Sequence, residues 1–205
     1  MFVRVTWFQG NPERVEERVS DYPQRMSAFD GLDGYLGCAA IVDRSTGAGV
    51  SVTYWSSTEA MQASEEVGAR IRGQAVGEDL KVHDIDRFEM VIQERTAPPR
   101  SGTFIRTNDM PGSLAAADEA IAFARNKVLP VLKAQPGFLA NLVCVNRETG
   151  RILASSIWET AEAREASEGA IQELRREAGR LAGVDNVAVQ LYESAYVKVK
   201  VPTPA

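Results

Sequence analysis

The chain has 205 residues, 44% of them hydrophobic and 25% charged, and its formal net charge of −5 falls entirely on residues 1–100. That is the composition of an ordinary globular protein, and with neither half basic no nucleic-acid partner is expected. No apolar run approaches the ~20 residues that span a bilayer, and the N-terminus MFVRVTWFQG lacks the basic start and long apolar core of a secretion signal. A cytoplasmic protein with no membrane partner is expected.

The first element is a short apolar strand, FVRVTWF. Asn11-Pro12-Glu13 reads as a helix start, with Asn capping and Pro in the first turn. Val15, Val19, Tyr22, Met26 and Phe29 then recur at alternating spacings of four and three, one apolar stripe of a helix that GLDG ends. A strand over 35–42, a hairpin turn DRSTG built on Gly47 and a strand VSVTYW come next. Ser57 or Thr58 caps a second helix carrying Ala60, Met61, Val67 and Ile71, and a last strand runs over 80–92. The order then repeats. TFIRT is a strand, and Pro111-Gly112-Ser113 leads into a helix with Leu114, Ile121, Val128 and Leu132, kinked at Pro130 and stopped by Gln135-Pro136-Gly137. Two strands flank the NRETG turn, Thr160 caps a helix reaching about Leu181, and VAVQLYESAYVKVKV closes the chain.

The repetition is visible in the residues themselves. GYLGCAAIVDRSTGAGVSVTYW from Gly34 aligns without a gap with GFLANLVCVNRETGRILASSIW from Gly137, at a constant offset of 103. Gly34/Gly137, Arg44/Arg147, Gly47/Gly150, Trp55/Trp158 and Ser64/Ser167 coincide. Two modules follow, residues 1–92 and 103–205, joined by a linker at 93–102 that Pro98-Pro99 keeps irregular. Each reads strand-helix-strand-strand-helix-strand, the ferredoxin-like arrangement. Two helices on one face leave the other sheet face bare, too large an apolar patch for water. The expected fold is therefore α+β: two ferredoxin-like βαββαβ modules packed sheet to sheet, an intrachain pseudo-dimer forming an α/β barrel. The VKVKV tail reads as an edge strand guarded by lysine; it could also pair with another chain, so further homo-oligomerisation stays open.

Copy two, in the stretch VLPVLKAQPGFLANLVCVNRETGRILASSIWETAEAREAS, resembles the antibiotic biosynthesis monooxygenase (ABM) domain of the dimeric α+β barrel superfamily. The shared elements are Leu-Pro in helix one, Pro-Gly-Phe entering strand two, the Glu-Thr-Gly hairpin and a Trp ending strand three. Copy one keeps the Gly-Tyr, Ser-Thr-Gly and Tyr-Trp elements and lacks the Pro-Gly pair. The resemblance implies a tandem of this fold, in a family that includes cofactor-independent oxygenases of phenols and quinols and also haem-degrading enzymes. Asn108 matches the strand-one Asn of the haem-degrading members, with Thr6 there in copy one. Their helix-two His has no match, since His83 falls in strand four, and Ser64 and Ser167 stand where they carry Trp. The resemblance thus implies a cofactor-independent monooxygenase acting on an aromatic or quinoid small molecule. The alternative is a non-catalytic small-molecule-binding or assembly module on the same fold.

The candidate residues carry two readings each. Trp55 and Trp158 are either aromatic walls for a planar substrate or packing anchors, and their presence in both copies favours anchors. Asn108 is placed to hold a substrate carbonyl or phenolate, or to cap the turn at Asp109. Arg106, like Arg4 in copy one, shares a strand face with it, as a catalytic cation or as a structural ion pair. His83 is a substrate-contacting base or a surface histidine beside Asp84 and Asp86. The small residues 37–40 favour a pocket in copy one, Asn108 favours one in copy two, and at most one working site is expected. Cys38 and Cys144 fall at non-equivalent strand positions and read as small buried hydrophobes. One histidine and two cysteines are too few for a four-ligand zinc site. The acidic positions Glu78, Asp79, Asp84 and Asp86 lack the glycine and glutamate of a calcium loop. No phosphate loop or nucleophile elbow is present, so no cofactor is expected.

Overall fold

The computed structural model describes residues 1–76 and 80–200. Glu78 and Asp79 of the acidic stretch and Val201 of the lysine-guarded tail lie outside them. Strand β1 (Phe2–Gly10) leads to Asn11, whose side chain accepts from the Glu13 amide at 3.0 Å, and helix α1 (Val15–Met26) follows. Val15, Tyr22, Met26 and Phe29 of the expected stripe are buried. Strands β2 (Tyr35–Val42) and β3 (Ala48–Trp55) form the hairpin. Its turn requires Gly47, at φ +76°, where a Cβ would collide with the Gly10 carbonyl. Helices α2 (Thr58–Ala63) and α3 (Glu65–Ala75) and strand β4 (Leu80–Arg95) complete the first copy.

The second copy runs β5 (Phe104–Met110), α4 (Leu114–Phe123), α5 (Leu129–Lys133), β6 (Phe138–Val145), β7 (Ile152–Trp158), α6 (Ala161–Ala166), α7 (Glu168–Ala182) and β8 (Ala188–Val199). Between α4 and α5 one π turn, Ala124–Val128, widens the helix just ahead of Pro130. Proline has no N–H for the helical bond and its ring crowds the preceding turn, so the irregularity falls where the sequence placed a kink.

The second helix of each copy departs from the expectation of one continuous helix. Both are broken, at Ser64 and at Ser167. The cause is a buried arginine from the first strand. Arg4 Nη2 donates to the Met61 carbonyl and to Ser64 Oγ, and Ser64 Oγ donates to the same carbonyl at 2.7 Å. Glu65, the first residue of α3, pairs with the guanidinium at 3.1 Å. Copy two repeats every part: Arg106 donates to the Arg164 carbonyl and to Ser167 Oγ, Ser167 Oγ donates to that carbonyl, and Glu168 lies 3.2 Å from Arg106. The carbonyl that a continuous helix would give to the residue four positions on is held by arginine and serine instead.

Strand pairing exchanges the ends of the two copies. β3 pairs with β1 and β2, with Arg4 opposite Thr53 and Thr6 opposite Ser51. The partner on the far side of β2 is the C-terminal part of β8, with Val42 opposite Glu193 and Gly37 opposite Val199. In the same way β7 pairs with β5 and β6, and β6 takes the end of β4, from Glu89 opposite Val145 to Arg95 opposite Ala140. The strand order β1-β3-β2-β8-β5-β7-β6-β4 closes into an antiparallel barrel within an α+β fold. Among the described residues one compact unit accordingly holds 1–76, 80–87, 99–102 and 193–200, and the other holds 88–98 and 103–192. β4 also continues to Arg95, into the stretch read as linker. With 16 and 12 residues, β4 and β8 far exceed the ~5–6 of a common strand, which lets each serve two units.

Each unit has an aromatic anchor. Trp55 and Trp158 are fully buried, and their indole N–H groups donate to Thr53 Oγ1 at 2.9 Å and Ser156 Oγ at 3.0 Å. Phe29 meets Trp55 edge-on at 5.6 Å, and Phe138 meets Trp158 at 5.8 Å. Removing either indole leaves a cavity and an unpaired hydroxyl, so Trp158→Ala is expected to cost about 3–5 kcal/mol in urea unfolding. Cys38 and Cys144 are free and buried, and burial raises both thiols, Cys144 to about 12. Neither should react with an aromatic disulfide reagent at pH 8 until urea unfolds the protein, when both should react.

Candidate functional site

The sheet and helices of copy one line a partly open cavity of about 100 Å³. Apolar side chains from α1 (Val15, Tyr22, Met26) and the strands (Phe8, Ala40, Val50) form most of its wall. Copy two holds a cavity of only about 40 Å³ in the corresponding place. The alignment explains the difference. Copy one has Ala40, Gly49 and Gly68 where copy two, 103 positions on, has Val143, Ile152 and Ile171, and all six line their respective cavities. Ile171 is buried in the core of its own unit, so the larger side chains in copy two fill the space that copy one leaves.

Gly68 matters most, because it faces charge. A Cβ there would come within 2.9 Å of Arg4 Nη1 and 3.0 Å of Arg72 Nη1. Arg4 is 2% exposed, and among the described residues its Nε and Nη1 have no hydrogen-bond partner. Burial lowers its pKa to about 10, so it stays a cation at neutral pH. Glu65 faces Arg4, Arg72 and Arg87 at once, at 3.1, 2.6 and 2.7 Å. Burial alone would raise its carboxyl; hydrogen bonds from Arg87 and Arg72 and the charge of Arg4 outweigh burial and hold it below its ordinary value. Arg18 and Arg25 on α1 also line the cavity, and Arg25 reaches Asp21 at 3.4 Å and the Arg18 carbonyl at 2.8 Å. Among the described residues the charged groups on this wall are therefore all arginines. The Tyr22 hydroxyl is tied to the Ala39 carbonyl at 2.9 Å and to Ser51 Oγ at 2.8 Å, and burial pushes its pKa upward, so it is a neutral group here.

The residues singled out in the sequence are dispersed. Asn108 lines the small cavity of copy two, where its amide donates to the Ala154 carbonyl at 3.3 Å and its Oδ1 is buried with no partner among the described residues. Arg106 sits on the same strand, but both its Nη groups are taken by the helix break. Trp55 and Trp158 line neither cavity. His83 is exposed on β4, apart from both cavities. The structure thus brings Asn108 to a cavity without Arg106, Trp158 or His83. It adds Gly68, Gly49 and Tyr22, which motif reading passes over; extending the 103-residue alignment into the second helix would have set Gly68 against Ile171. Among the described residues no group of three His, Cys, Asp or Glu side chains is placed to hold a metal ion, and no helix is long and apolar enough to cross a membrane.

No protein-family model matches the chain. Two uncharacterized proteins of Mycobacterium tuberculosis, Rv2557 and Rv2558, are 24% and 25% identical to it, over 98% of this chain and 91% and 86% of their own lengths. Among solved structures, an anthrone oxidase-like protein is 18% identical with a TM-score of 0.70, covering 100% of this chain and 95% of the other. A ferredoxin-fold protein of Listeria monocytogenes related to antibiotic biosynthesis monooxygenases is 9% identical with a TM-score of 0.54, covering 95% of each chain. The chain therefore shares the α+β fold of these structures, with eight strands in one closed hydrogen-bonded series.

The filled and open cavities should respond differently to substitution. Ile171→Ala enlarges a packed space and is expected to cost about 2–5 kcal/mol. Gly68→Ala meets only the tips of two arginines and gains helix propensity, so it should stay within about 1 kcal/mol of the parent in urea unfolding.

Proposed function

We propose that the protein is a monooxygenase-like enzyme that oxidises a small aromatic or quinoid molecule in the cavity of copy one, without metal or flavin. The observation that carries this reading is an apolar chamber, opened by Ala40, Gly49 and Gly68, and lined by a buried guanidinium with two nitrogens unpartnered among the described residues. An electron-rich phenolate can itself reduce O₂. One oxygen atom becomes the new carbonyl of a quinone, the other leaves as water with the two hydrogens lost by the phenol, and the substrate supplies all the electrons. The chain's part is to favour the anion through Arg4, with the phenolic proton passing to solvent, and to hold the ring away from water. A closed cavity of ~150 Å³ accepts benzene, so this partly open cavity of about 100 Å³ takes at most a single ring, with one edge toward its mouth.

The same wall also supports a second reading. Arginine is a poor base at neutral pH, and arginines are the charged groups here, which suits holding a ligand without turning it over. Oxygen uptake and quinone absorbance with a panel of single-ring phenols and hydroquinones, and with anthrone, decide between them. The enzyme reading expects uptake with single-ring substrates that falls at least tenfold in Gly68→Ile and persists in Asn108→Ala. Binding of the panel with no uptake above background rejects it in favour of the holder.

A further inference from the structure

The two copies treat the same buried arginine differently, and the difference points to the charge of the ligand. In copy two, Arg106 divides the helix-break contacts between two nitrogens, Nη1 to Ser167 Oγ at 2.9 Å and Nη2 to the Arg164 carbonyl. In copy one, Arg4 makes both contacts with Nη2 alone, leaving Nη1 and Nε buried and without a hydrogen-bond partner among the described residues. The helix break therefore does not require Arg4 to spare a nitrogen. Beside that nitrogen copy one has Gly68, and copy two fills the equivalent position with Ile171. Two guanidinium nitrogens, Arg4 Nη1 and Arg72 Nη1, converge on the space next to Gly68.

We infer that the ligand of the copy-one cavity is an aromatic anion, its charged oxygen received by Arg4 Nη1 beside Gly68 while its ring lies against the apolar wall. The inference rests on that cavity being the ligand site. A neutral apolar ligand would cover Arg4 Nη1 without a partner, which is costly in a dry interior, whereas an anionic oxygen completes its hydrogen bonding with a charge-assisted bond. Nearby charge agrees. Glu65 is shared among three arginines, and Arg18 and Arg25 add positive charge on the α1 side of the wall. Burial leaves Arg4 with a pKa of about 10, still charged at neutral pH. Carboxylate and phenolate oxygens share this chemistry, so both are included as probes.

Titration calorimetry of the full chain with benzoate, with 4-nitrophenolate at pH 8 and with the neutral isostere benzamide tests it. One or both anions should bind at least about tenfold tighter than benzamide, the factor contributed by one charge-assisted hydrogen bond. Whichever anion binds tighter identifies the oxygen as carboxylate or phenolate. Arg4 itself holds the helix break, so the informative variant is Gly68→Ala, whose methyl crowds Nη1 while leaving the break intact. It should shrink the anion preference to less than about threefold while its thermal unfolding stays near that of the parent. Equal affinity for anions and benzamide overturns the inference and leaves the cavity as a site for neutral rings. No binding of any probe overturns the site itself.

Discussion

A guanidinium buried beneath a pair of short helices organises each half of this chain. A cation in a dry interior needs oxygen atoms around it, and in both halves the fold provides them identically: a helix carbonyl, a serine hydroxyl and the carboxylate that opens the next helix. Meeting that demand breaks the second helix, sets the direction of its longer part and ties it to the first strand of the sheet. In the first half the tryptophan that ends β3 belongs to the same construction: Trp55 lies under Arg4, with the guanidinium 5.8 Å from the ring centre.

What the halves share is thus scaffold, and what separates them is volume and charge. Three exchanges, Ala40 against Val143, Gly49 against Ile152 and Gly68 against Ile171, close one cavity and open the other. Two identical chains could not do this, because every substitution would appear in both halves. Fusion removes the constraint, so one half keeps a packed core while the other gives up packing for a chamber. The loss falls where it is tolerable: Gly68 lies near the start of a helix that the pair of Arg4 with Glu65 ties to the first strand.

Much of this was legible because local patterns and global fold agree. The stripe from Val15 to Phe29, the hairpin glycine Gly47 and the Pro130 irregularity each follow from the chemistry of one or a few neighbouring residues. The helix breaks were not legible. Ser64 and Ser167 sit in sequences that favour helix, and the arginines that reach them come from about sixty residues away. Asn108 and Arg106 looked like partners from their spacing on one strand. Their separation follows from the length of arginine, whose tip reaches the helix break while Asn108 stays against Ala154.

By itself the sequence determined the duplication, the ferredoxin-like order of elements and the residues common to both copies, because these depend on periodicity, turn chemistry and self-similarity. Only the tertiary structure decided which strand ends pair with which unit, since β4 and β8 carry no residue that names their partner. It also decided which copy holds the open cavity and which nitrogen of Arg4 is spare. Those are matters of volume and of distances between side chains far apart in sequence, and an alternation of apolar and polar residues does not encode them.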